Sequence, residues 1–261
     1  MRKIISASAP ISGDVVTFLK VVFACPFIEA YGMSETSGGN VWSRVEDPVS
    51  GHAGGPNLTL ACKLKDIPEL EYMSTDKPFP RGELCMKGPM IMKGYFKKPE
   101  KTAECLIDGW LHSGDVVEVY PNGTIKIIDR TKNIFKLSQG EYLAPEKLEN
   151  GYVQSPLIAQ IIVYGDMYRS CCVAIVVPDD AALTSWCSAN GKSKAEVFAD
   201  QSEYSKLVIE SMVEVAKAKN FNSLERPKAV YLTSEAFSPE NEILTPTFKM
   251  KRNVGAKVYK K

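Results

Sequence analysis

The sequence predicts an α/β chain with a small β-rich subdomain that continues into a smaller α+β portion. Three observations support this. A strand, a helix and a second strand follow one another between Lys3 and Tyr31. Short strand candidates punctuated by Gly and Pro fill Val45 to Gly114. After Asp129-Arg130, strands and amphipathic helices mix.

Lys3 to Ser8 reads as a short buried strand ending in a small-residue loop at Ala9-Pro10. Ser12 can cap the helix that follows, and Asp14 suits the positive end of its dipole. Val15, Val16, Phe18, Leu19, Val21, Val22 and Phe23 make that helix apolar on most sides, and Pro26 stops it. Phe27 to Tyr31 is the next strand, so the unit belongs to a parallel sheet whose ligands sit beyond the carboxyl ends of its strands. Tyr31 to Gly39 therefore lies where chemistry is expected. The strongest local signal is a hairpin: Val116 to Tyr120 and Thr124 to Ile128 alternate around Pro121-Asn122-Gly123. Gly109-Trp110-Leu111 and His112 read as an aromatic-rich loop before it. Further on, strands are predicted at Ile134–Leu137, Ile158–Tyr164, Cys172–Val177 and Ala229–Leu232. Helices are predicted at Pro145–Val153, Asp180–Ala189 and Glu203–Lys219, the last packing Val208, Met212 and Val215 on a sheet.

Composition narrows the chemistry. The chain has 261 residues, 44% of them hydrophobic, with 32 Lys+Arg against 31 Asp+Glu. Such a balance leaves no dominant electrostatic footprint for nucleic acid. The seven cysteines show no CxxC spacing, which fits a reducing compartment. His52 and His112 lie far in sequence from any cysteine at ligand spacing, so no zinc or haem pattern is recognisable. No apolar run approaches the roughly 18 residues that span a bilayer.

Four segments carry candidate chemistry. Tyr31-Gly32-Met33-Ser34-Glu35 offers a ring to stack on a base, a flexible glycine, a hydroxyl for phosphate and a carboxylate for Mg²⁺; its alternative is a polar turn. Asp115, at the end of His112-Ser113-Gly114, can accept two hydrogen bonds from a ribose diol or simply form a turn. Asp129-Arg130 opens a stretch containing Lys136 and a Ser138-Gln139-Gly140-Glu141 turn, whose plain reading is a solvated charged loop. Leu244 to Arg252 has no acidic residue; it reads as a basic tail able to touch anionic lipid, or as the setting for one lysine, Lys249, placed on a phosphate.

In this order and spacing the segments resemble the adenylate-forming enzymes, and specifically the long-chain fatty acyl-CoA synthetases. Tyr31 to Glu35 is similar to the family's YGxTE motif, and Asp108 to Asp115 to its DGWLHTGD. Ile127 to Arg130, Phe135 to Tyr142 and Pro145-Glu146 resemble the hinge motif, and Leu244 to Arg252 the C-terminal lysine motif. The resemblance implies residues 1–128 as the end of a large α/β adenylation domain and residues 129–261 as a small mobile C-terminal domain. It implies nucleotide binding by Tyr31, Gly32, Ser34, Asp115 and Arg130, with Glu35 ligating Mg²⁺. It further implies that Lys249 and Glu35 serve adenylation, that Asp129 is the hinge, and that Lys136, Gly140 and Glu141 face CoA. ATP, fatty acid and CoA are the implied substrates. No nucleic-acid partner is implied, and the parent enzyme is intracellular, in the cytoplasm or on the cytoplasmic face of an organelle membrane.

Some residues depart from the family pattern. Ser6 to Pro10 is poorer in glycine than the family's segment, Ser34 and Ser113 stand for threonine, and Thr131 stands where a basic residue is common. The Ser/Thr/Gly-rich loop that grips the β- and γ-phosphates is not among these residues. A polypeptide of these residues alone is therefore expected not to catalyse ATP–pyrophosphate exchange with palmitate. Other acyl or aryl adenylating ligases, and a non-catalytic nucleotide-binding module, are the alternative readings.

Overall fold

The computed structural model describes residues 2–9 and 11–259, without the side chain of Asn253. Pro10, in the loop expected after the first strand, lies outside the described residues. The chain divides into two compact units, residues 1–132 and 133–261. The border lies a few residues beyond the Ile128/Asp129 boundary expected from the sequence.

The first unit opens with β1 (Ile4–Ala7), α1 (Gly13–Phe23) and β2 (Phe27–Met33); β1 and β2 are parallel, with Ile4 opposite Phe27. The Ser12 hydroxyl accepts from the Val15 N–H at 3.3 Å and caps α1. Among the residues of α1 only Val16 is buried; Phe18, Val21, Val22 and Phe23 face outward. After a one-turn 3₁₀ helix at Ser34–Thr36, β3 (Gly38–Trp42) returns antiparallel to β2, and β4 (Gly55–Pro56) closes a four-stranded sheet.

The β-rich subdomain is a second sheet of β5 (Ala61–Lys65), β6 (Arg81–Lys87), β7 (Leu106–Ile107), β8 (Trp110–Val119) and β9 (Ile125–Arg130), with α2 (Pro99–Cys105) leading into β7. β8 is its centre: β6 lies along one edge, while β7 and β9 share the other. Gly109 to His112 is therefore not the loop its glycine and serine neighbours suggest. Only Asp108 and Gly109 turn, both at positive φ, and from Trp110 onward cross-strand pairing takes over. The expected hairpin joins β8 to β9 through Pro121-Asn122-Gly123, where Gly123 has φ +81°. Val41, Leu60, Leu84, Met86, Leu111, Val117 and Ile125 form the core.

The second unit begins with a short hairpin, β10 (Phe135–Lys136) and β11 (Tyr142–Leu143), followed by α3 (Pro145–Tyr152). Its sheet is β12 (Ile158–Tyr164), β13 (Val173–Pro178) and β14 (Val230–Leu232), antiparallel then parallel. Between β13 and β14 come α4 (Asp180–Asn190), α5 (Lys194–Ala199) and α6 (Ser202–Ala218). Tyr204, Val208, Met212 and Ala216 recur every four residues, and all are buried. The strands alternate faces: Ile161, Val163, Ala174 and Val176 join the helix-covered core, while Ile162, Ile175 and Val177 pack with Phe237 and Ile243.

α7 (Arg252–Tyr259) lies against this second face, so the C-terminal stretch is not a solvated tail. Two Arg252 nitrogens donate to the two Glu149 oxygens at 2.7 and 2.5 Å, and both side chains are largely buried. The basic composition concealed this because the matching carboxylate sits on α3, distant in sequence. No helix of the described residues is long and apolar enough to cross a membrane.

Candidate functional site

In the first unit the carboxyl end of β2 meets the middle of β8. The Tyr31 hydroxyl donates to Asp115 Oδ2 at 2.6 Å, and Arg130 Nε lies 3.5 Å from Asp115 Oδ1. Asp115 and Arg130 are direct cross-strand partners on β8 and β9. Asp115 is buried, whereas the Arg130 side chain is more than half exposed. Burial, and then the neighbouring Asp115 charge, raise the Tyr31 phenol well above its ordinary range, so it remains a donor. The Asp115 N–H donates to Ser113 Oγ, whose hydroxyl donates to the Leu84 carbonyl at 2.7 Å. Ser113 thus ties the backbone of Asp115 to β6.

Close backbone approach shapes the loop after β2. A Cβ on Gly32 would lie 1.9 Å from the Gly38 carbonyl oxygen, so only glycine fits. Buried Thr36 ties the loop together, donating to the Gly38 carbonyl at 2.7 Å and accepting from the Met33 N–H. Ser34 is exposed on this loop and Glu35 is partly exposed. No motif marks Tyr95, whose hydroxyl donates to Glu35 Oε1 at 2.6 Å; that bond pushes the phenol up to about 12. A single partly exposed carboxylate fits Mg²⁺, which typically takes one or two carboxylates together with water and substrate phosphates.

Asp129 is fully buried, its Oδ1 accepting the Arg130 N–H at 2.6 Å. The remaining expected residues belong to the second unit. Lys136, Gly140 and Glu141 surround the β10–β11 turn, where the Lys136 ammonium stands 4.6 Å from the Tyr142 ring centroid and Gly140 has φ +95°. Lys249 is exposed on a tight turn closed by a bridge between Leu244 and Met250. Its N–H donates to Thr245 Oγ1 and its carbonyl accepts from the Thr245 N–H.

The structure also assembles a cluster that the sequence concealed. Across β6 and β8, His112 Nδ1 lies 3.0 Å from Glu83 Oε2 and 3.4 Å from Cys85 Sγ. A spacing of 27 residues separates Cys85 from His112 in the chain, yet strand pairing makes them direct neighbours.

Residues 1–96 match the family model described as AMP-binding enzyme. The fold is that of the adenylation domain of a carboxylate reductase from Mycobacterium chelonae, with a TM-score of 0.84 and 32% identity over 98% of this chain and 37% of that one. The corresponding domain from Segniliparus rugosus, solved with AMP and a co-purified carboxylic acid, matches with a TM-score of 0.82 and 36% identity, covering 98% and 37% of the two chains. These matches define an adenylate-forming, AMP-binding enzyme fold. Within that class the chain is similar to a region of the long-chain acyl-CoA synthetases. It is 44% identical over 252 residues to long chain acyl-CoA synthetase 7, peroxisomal, of Arabidopsis thaliana, covering 95% of this chain and 36% of that protein. It is 42% identical over 254 residues to long-chain-fatty-acid–CoA ligase 1 of Homo sapiens, covering 97% and 36%. The chain thus spans little more than a third of the length of the curated relatives it matches.

Proposed function

We propose that these residues serve an intracellular, ATP-dependent long-chain fatty acid:CoA ligase, as the C-terminal portion of its adenylation domain followed by a mobile C-terminal domain. The reading rests on one observation, the Tyr31–Asp115–Arg130 constellation, supported by the similarity to long-chain acyl-CoA synthetases. A buried carboxylate fixed by a phenol on one oxygen and a guanidinium beside the other is preorganised to accept the two hydroxyls of a ribose. The Tyr31 ring offers adenine a stacking face, Ser34 offers the α-phosphate a hydroxyl, and Gly32 keeps the loop backbone clear of the base.

In the first half-reaction a fatty-acid carboxylate oxygen attacks the α-phosphorus of ATP and pyrophosphate leaves. Both reactants are anionic, so fixed positive charge is needed where they meet, and Lys249, on a turn held at both ends, supplies it. Glu35 holds Mg²⁺, which neutralises phosphate charge when bound. Asp129 is the pivot about which the second unit turns, presenting the Lys136–Glu141 hairpin for the second half-reaction. There the CoA sulfur attacks the acyl carbon and AMP leaves, a far better leaving group than the oxide a free carboxylate would have to expel.

The test uses the parent protein containing these residues. Asp115→Asn removes the charge that accepts the ribose hydroxyls, a change worth about 1.5–3 kcal/mol, so AMP affinity measured by calorimetry should fall about 10–150-fold. Thioester formation across acid chain lengths should peak at long-chain acids. AMP affinity unchanged within twofold would remove Asp115 from the ribose, and a peak at aryl or short-chain acids would overturn the substrate assignment.

A further inference from the structure

Across β5, β6 and β8, cross-strand pairing sets Lys63, Cys85 and His112 in one row, with Glu83 beside them. The carboxylate, thiol and imidazole donor atoms all lie within 4.8 Å of one another. Tetrahedral zinc has Zn–S near 2.3 Å and Zn–N and Zn–O near 2.0–2.2 Å, which sets the ligand atoms about 3.6 Å apart for sulfur and nitrogen and about 3.3 Å apart for nitrogen and oxygen. The observed separations are 3.4 and 3.0 Å. Cys85 Sγ also lies 3.9 Å from His112 Nε2, over the face of the imidazole, so an ion enters once the ring turns to aim Nδ1 between the sulfur and the carboxylate.

The surroundings match this donor set. Glu83 Oε1 accepts the Gly114 N–H at 3.0 Å, which turns Oε2 towards His112, as an outer-shell partner orients a metal-binding carboxylate. Cys85 is fully buried, while the Glu83 and His112 side chains are each 13% exposed and form the entrance. Charge also balances: a thiolate, a carboxylate and a neutral imidazole around a dication sum to zero, which suits a site with Lys65 Nζ 3.8 Å from Glu83.

We propose that Glu83, Cys85 and His112 bind a divalent ion of the zinc class, with water as the fourth ligand. On binding, the Cys85 thiol releases its proton to solvent and its sulfur lone pair forms the bond to the metal. His112 moves its proton to Nε2 so that Nδ1 can coordinate, and Glu83 Oε2 exchanges an imidazole hydrogen bond for the metal. Three protein ligands and a water make an open site, in contrast to a closed structural one. None of its three ligands is assigned to the nucleotide.

The test is cobalt(II) titration of the reduced, metal-free 261-residue chain. One equivalent should produce thiolate-to-metal charge-transfer absorption in the near ultraviolet and the intense visible bands of four-coordinate cobalt, and zinc should bleach both. Cys85→Ser should abolish the charge-transfer band, and Cys105→Ser, with its thiol elsewhere in the fold, should leave it intact. His112→Ala and Glu83→Gln, at partly exposed positions, should each weaken cobalt binding by at least about tenfold. These two variants carry the test if Cys85→Ser fails to fold. The weak spectrum of six-coordinate cobalt, a charge-transfer band that survives in Cys85→Ser, or unchanged affinity in His112→Ala and Glu83→Gln would each overturn the proposal.

Discussion

Arg252 clamps α7, and with it the turn bearing Lys249, to the second unit, and the strength of that clamp can be worked from the structure. Its forked contact with Glu149 is bidentate, and Glu149 Oε1 also accepts the Val163 N–H at 2.8 Å. Truncating one partner of a fully buried pair costs about 3–5 kcal/mol, because the other charge stays desolvated. The side chains here keep 14% and 11% of their exposure, so the low end applies and Arg252→Ala should cost about 3 kcal/mol. With a urea slope of about 1.5 kcal/mol per molar for a unit of this size, the midpoint should fall by about 2 M. Trp186, edge-on to Tyr204 in the same unit, is the reporter once Trp42 and Trp110 are replaced by phenylalanine. Arg252→Lys keeps the charge but loses the fork, and should recover no more than half of the loss. A cycle with Glu149→Ala should be strongly non-additive. A midpoint shift below about 0.3 M, or additive single changes, would refute the clamp.

Two further outcomes can be checked. In the parent enzyme, Lys249→Ala should depress acyl-adenylate formation far more than thioester formation from supplied acyl-AMP; equal losses in the two half-reactions would contradict its assignment to one orientation of the second unit. Burial raises the Glu29 carboxyl, so the folded chain holds that proton to higher pH than the unfolded chain does, and stability is lost as pH rises from the ordinary carboxylate range to the raised value. Glu29→Gln retains an oxygen for the Gly51 N–H and should melt at higher temperature than the parent chain at neutral pH. The gap should close in acid, and a gap that does not vary with pH would contradict this sign.

What the sequence made legible was local. The parallel strand–helix–strand unit, the Asn122-Gly123 hairpin, the strand at Ile158–Tyr164 and the four-residue rhythm of α6 all depend on neighbours in the chain, and all appear in the structure. Tyr31, Asp115 and Arg130 could be picked out by motif order, and pairing in the structure then joined them. What was missed depends on distant partners. Trp110 and Leu111 looked like part of a loop until β6 and β7 supplied partners, and the basic stretch looked solvated because its acid lies on α3. The Tyr95–Glu35 bond has no sequence signal. One miss was avoidable: Ser193-Lys194-Ala195-Glu196 spells a capping box, and α5 starts there with both reciprocal hydrogen bonds formed.

β8 places Trp110, His112 and Asp115 along one strand held by three neighbours. A slip of a single residue against β6 would rotate every one of those side chains to the opposite side of the sheet. Apolar positions such as Leu111 and Val117, which touch no ligand, therefore guard the aim of the carboxylate beside them. Substitutions that loosen this strand should erode recognition of the sugar before they unfold the protein.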